Sequence, residues 1–100
     1  MTMKVTPLQH FQISEVRATQ AALERISNIG ALLTIAQRHA NSEWMNMPPE
    51  MQQANRIALT EGGRLLSLQT LSDGGCVWVI SGADRTQARV CLPAEIALIN

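Results

Sequence analysis

Arg64-Leu65-Leu66-Ser67-Leu68-Gln69-Thr70-Leu71, Cys76-Val77-Trp78-Val79-Ile80-Ser81 and Thr86-Gln87-Ala88-Arg89-Val90-Cys91-Leu92 are three apolar runs, parted by Ser72-Asp73-Gly74-Gly75 and Gly82-Ala83-Asp84-Arg85. Asp-Gly and Gly-Gly supply the positive φ of tight hairpins, and Val, Ile, Trp and Thr suit a pleated, half-buried surface. The last third of the chain therefore reads as an antiparallel β-meander. Its first run is the ambiguous one, because Leu66, Leu68 and Thr70 alternate like a strand while Leu65, Leu68 and Leu71 fit a helix. A two-stranded hairpin alone is marginal, which favours the third strand.

A turn at Gly82–Arg85 places Cys76 opposite Cys91, Trp78 opposite Arg89 and Val77 opposite Val90. One face then carries Cys76, Trp78, Ile80, Gln87, Arg89 and Cys91, and the other Val77, Val79, Ala88 and Val90. The aliphatic face is the expected core. Arg89 would stack on Trp78 across the strands.

Upstream of the meander the signals are helical. Thr6-Pro7-Leu8-Gln9 has an N-cap residue, a first-turn proline and a capping-box glutamine. From there to about His39 no proline intervenes, and Val16, Thr19, Leu23, Ile26, Gly30, Leu33, Gln37 and Ala40 form a stripe widened by Ala22, Ile29, Leu32 and Ala36. Leu23, Ile26 and Leu33 are expected to be buried. The helix is either continuous or broken near Ser27-Asn28-Ile29-Gly30, since glycine disfavours a helix interior by about 1 kcal/mol. Pro48 keeps Met47 extended, and a second, shorter helix runs from Glu50 to about Glu61, opened by Pro49 and stopped by Gly62-Gly63. After Leu92, Pro93 interrupts the ladder, and 94–99 reads as a short helical turn or an edge strand.

The fold class is α+β. A long amphipathic N-terminal helix, continuous or broken near Gly30, and a shorter helix cover a three-stranded antiparallel meander. One hundred residues make one domain, 1–100. A break at Gly30 gives the alternative order of three helices, a strand and a hairpin, which is that of a winged helix.

The bulk numbers narrow the function without naming it. Eight basic and eight acidic residues give a formal charge of zero, which offers no general attraction to nucleic acid or anionic membrane. Zero charge also leaves little repulsion between copies. No apolar run approaches the roughly 20 residues of a membrane span, and the first residues lack the apolar region of a secretory signal. Cytoplasmic is the expected location. Phe11, Trp44 and Trp78 are the only Phe, Trp or Tyr residues, so the core must be aliphatic.

No catalytic, metal or phosphate pattern stands out. Cys76 and Cys91 read first as small buried hydrophobes and second as a redox pair; a metal would need two further ligands. His39 and Glu43 stand four apart, but two ligands make no site, and a surface histidine favoured by the helix C-terminus is the simpler reading. The segment Trp44-Met45-Asn46-Met47-Pro48-Pro49-Glu50-Met51 puts apolar bulk where a polar connector is expected. It is either a lid on the chain's own core or a contact surface made by Trp44, Met45, Met47 and Met51. The expected role is a small non-catalytic protein that acts through contact with another protein or itself, as a homodimer, without cofactor or metal. A winged-helix-like DNA-binding regulator is the alternative, and a thiol redox protein using Cys76 and Cys91 the third reading.

Overall fold

The computed structural model describes residues 15–41, 43–44, 47–83 and 85–96. The three runs become β2 (Leu65–Thr70), β3 (Cys76–Ser81) and β4 (Gln87–Cys91). β2 and β3 pair antiparallel from Leu65↔Ser81 to Thr70↔Cys76, and β3 and β4 pair antiparallel around Val79↔Val90. Gly74, at φ 96°, makes the first turn in the left-handed region, as the sequence requires.

The sheet has a fourth strand that periodicity hides. β1 (Glu15–Ala18) runs parallel to β4, giving the order β1-β4-β3-β2 and a mixed sheet in place of a three-stranded meander. Glu15 to Ala18 were expected inside the first helix. Four residues are too few for alternation to outweigh the helical stripe that follows them.

The long helix is two helices among the described residues, α1 (Gln20–Ile26) and α2 (Ile29–Ala40). Ser27 ends α1 with φ 49°, and the Asn28 side chain caps α2 by accepting the Ala31 N–H at 3.0 Å. The break falls in the expected segment. The expected start at Thr6-Pro7-Leu8-Gln9 lies outside the described residues. Thr19 caps α1, accepting the Ala22 N–H at 3.1 Å and donating to Glu95 at 2.6 Å. α3 (Pro49–Glu61) starts and stops at its predicted proline and glycine. A single 3-10 turn follows at Pro93–Glu95.

Breaking the helix also rotates its buried face. Ala22, Leu32, Ile35, Ala36, His39 and Ala40 are buried, whereas Leu23 is 39% and Leu33 53% exposed, contrary to expectation. The expected stripe runs straight through Ser27-Asn28, where the left-handed Ser27 resets the phase for Leu33, and it includes Val16 and Thr19, which precede the start of α1 and so misphase Leu23. Ala22, Leu32, Ile35 and Ala36 pack on Val77, Val79, Ala88 and Val90, so the aliphatic sheet face is the core.

The second hairpin forms its turn where expected, with the Arg85 N–H donating to the Gly82 carbonyl at 3.1 Å. The ladder beyond it is displaced by two residues. Trp78 faces Cys91 and Ile80 faces Arg89, so neither the Cys76–Cys91 nor the Trp78–Arg89 opposition occurs. Arg85 adopts φ 61°, which keeps the chain out of the strand until Gln87. A displacement of two residues preserves which face each side chain occupies, because the strand period is two.

Two side chains fasten α3 to the sheet. Asn55 donates to the Leu66 carbonyl at 2.7 Å and accepts the Leu66 N–H at 3.1 Å, standing in for a neighbouring strand at the β2 edge. Arg85 donates to the carbonyls of Ala58, at 2.8 Å, and Gly63, closing the C-terminal end of α3. The hairpin tip is thereby tied to a helix, where a winged helix would leave it projecting. No helix among the described residues is long and apolar enough to cross a membrane.

Candidate functional site

The polar centre of the molecule is His39. It sits in the last turn of α2 on the buried stripe of Leu32, Ile35 and Ala36, and is fully buried rather than a surface residue. Its Nδ1 lies 2.6 Å from Ser67 Oγ on β2, and its Nε2 lies 2.8 Å from Ser81 Oγ on β3. Gln69 extends the network, donating to Ser67 Oγ at 3.0 Å and to the Glu43 carbonyl at 2.9 Å. Ser67, Gln69 and Ser81 occupy inward positions of their strands, where alternation calls for apolar residues. A neutral imidazole has one donor and one acceptor, and a hydroxyl can be either, so the ring satisfies both serines without a charge.

Burial lowers the His39 pKa to about 4, and the nearby Arg85 guanidinium adds to the effect. A serine beside an imidazole is the start of a nucleophile–base pair, but that chemistry needs substrate to reach the hydroxyl. His39, Ser67 and Ser81 each have no exposed surface. The network joins α2 to β2 and β3 and fixes the helix against the sheet. Periodicity could have found it, since His39 follows Ile35 and Ala36 by four and three residues once the phase is taken from α2 alone. Glu43 is exposed beyond the end of α2, so it shares no metal-facing surface with His39. Among the described residues, no three His, Cys, Asp or Glu side chains gather as a metal site.

The Trp44 segment folds inward. Trp44 is 5% and Met47 4% exposed, and Met51 is half-buried; Met45 lies outside the described residues. The Met47 N–H donates to the Trp44 carbonyl at 3.1 Å, and Gln52 donates to the Met47 carbonyl at 2.8 Å. Trp44 and Met47 therefore present almost no surface to a partner in this conformation, and the lid account describes them. The indole N–H of Trp44 is buried and finds no acceptor among the described residues.

Cys76 is half-buried and Cys91 is buried, both as free thiols. With Cys91 opposite Trp78, the two cysteines stand diagonally across β3 and β4. Diagonal positions lie about 7–8 Å apart, beyond the roughly 7 Å over which a disulfide closes without backbone movement. Burial, and then the Glu95 carboxylate, raise the Cys91 pKa. A thiol reagent is expected to modify Cys76 in the native protein and Cys91 only on unfolding. Equal rates for the two in native buffer would show that β4 opens far more readily than its burial implies.

Among the described residues, an apolar surface is open at the α1–α2 elbow, apart from Ile57 of α3, which is also exposed. Leu23 (39% exposed), Ile29 (67%) and Leu33 (53%) gather around the elbow between α1 and α2. Beside them is a hollow of about 180 Å³ lined by Leu23, Ile26, Ser27, Asn28, Ile29 and Leu32. No family model, curated protein or solved structure matches this chain.

Proposed function

We propose that this protein works by protein–protein contact, and that the contact is made with a second copy of itself through the α1–α2 elbow. The observation that carries the reading is the pairing of protruding Ile29 and Leu33 with an adjacent hollow floored by Leu32 and Ile26. A two-fold contact brings the same patch of both copies together, so a projection beside a hollow is self-complementary. Zero formal charge leaves the two copies without long-range repulsion. The contact surface thus moves from the Trp44 segment to the helical elbow.

Light scattering and sedimentation equilibrium test this. The wild type is expected to be a dimer, and Ile29→Asp with Leu33→Asp to be a monomer. Both side chains face solvent, so each substitution alone should change monomer stability by no more than about 0.5 kcal/mol. A wild type that stays monomeric at millimolar concentration, or a double variant that still dimerises, would refute the reading.

A further inference from the structure

A second cleft lies on the opposite flank of α2. It has a volume of about 280 Å³ and is lined by residues of α1, of α2 and of the β2–β3 turn. Ile26, Ile35 and Leu71 supply apolar walls, while Arg25, Arg38 and Thr34 supply polar ones. Thr34, Ile35 and Arg38 lie on one side of α2 by helical spacing, away from Ile29 and Leu33.

The charges are unequal. Asp73 binds both terminal nitrogens of Arg25, one at 3.0 Å. Asp73 also accepts the Gly75 N–H at 3.0 Å, and a side chain at position 75 would collide with Arg25. The turn thus holds Arg25 and neutralises it. Arg38 reaches only the Thr70 carbonyl, at 3.5 Å, and has no carboxylate partner among the described residues. Among the described residues, the Arg38 guanidinium is thus left beside apolar walls with most of its N–H groups without a partner.

We propose that this cleft binds a small apolar monocarboxylate, its carboxylate on Arg38 and its hydrocarbon against Ile26, Ile35 and Leu71. A planar guanidinium matches a carboxylate with two parallel hydrogen bonds. Small-ligand sites combine this kind of apolar lining with a few convergent polar groups. One uncompensated positive charge fits a monoanion. The volume suits a body of a few carbons, not a long chain.

The experiment is a titration of the full chain with sodium hexanoate, followed by amide chemical shifts, with hexan-1-ol and inorganic phosphate as parallel probes. Hexanoate is expected to give saturable shifts at Thr34, Ile35, Thr70 and Leu71, and both other probes to bind more weakly. Arg38→Gln, an exposed substitution, is expected to weaken hexanoate binding about tenfold or more. Absence of saturable shifts overturns the proposal. So does equal binding of hexanol, or an unchanged affinity in Arg38→Gln. Shifts confined to Leu23, Ile29 and Leu33 would place the ligand at the elbow and also overturn it. The dimerisation result is independent, since the double aspartate variant leaves this cleft intact.

Discussion

Lowering the pH from 6.5 to 4 is expected to remove about 3 kcal/mol of folding stability through His39 alone, from a folded pKa of about 4 against an ordinary 6.5. Above pH 6.5 the ring is neutral in both folded and unfolded chains, and its contribution is complete. As the pH falls, the unfolded chain takes up a proton that the folded one refuses, so the balance moves toward unfolding. The loss ends near pH 4, where the buried ring also protonates. Asp73 is held to about 2 by Arg25, and its own contribution is lost below this window, which keeps the two effects apart. Urea denaturation of the wild type across pH 4–7 should show the slope, and His39→Gln should flatten it. An unchanged slope in that variant would assign the effect to other groups.

Trp44→Ala is expected to destabilise the protein by about 3–5 kcal/mol, the range for truncating a buried large aromatic. Such a loss is a large part of the 5–15 kcal/mol that typically holds a domain together. Trp44→Phe should lose well under half as much. It keeps most of the ring's apolar burial and removes a buried N–H that has no acceptor among the described residues. Dimerisation should be unaffected in Trp44→Phe. Unchanged melting of the Trp44→Ala monomer, with weaker association, would restore the segment as a contact surface and refute the lid.

What was legible in the sequence was what short-range chemistry determines. Pro49 and Gly62 bound α3, Gly74 shapes the first hairpin, and alternation in Val77, Val79, Ala88 and Val90 identifies the core face. The misreadings arise where one residue changes the phase of everything after it. Ser27 resets the helix, which puts Leu33 at the surface and His39 in the interior, while Leu23 lies ahead of it in α1, whose phase starts only at Gln20. Arg85 displaced the ladder and parted Cys76 from Cys91. Neither is glycine, asparagine or aspartate, so neither advertises a left-handed backbone. β1 was hidden for a different reason, since its pairing partner lies far along the chain. Of the candidate sites, the elbow was visible as apolar residues, but which of them would face solvent depended on the reset at Ser27. The Arg38 cleft depends on three elements meeting, and no local pattern announces it.

The parallel pairing of β1 with β4 also governs when the molecule can finish folding. Glu15 and Gln87, 72 residues apart, are bonded neighbours in the completed sheet. On a ribosome, β1 emerges before β4 and waits through the 72 residues between Glu15 and Gln87 before its partner strand exists. The β2–β3–β4 meander can assemble from local contacts while that large loop closes late and at an entropic cost. A chain released short of Cys91 would leave the β1 segment without its ladder and the core incomplete along one side, a nascent state suited to recognition by chaperones or proteases.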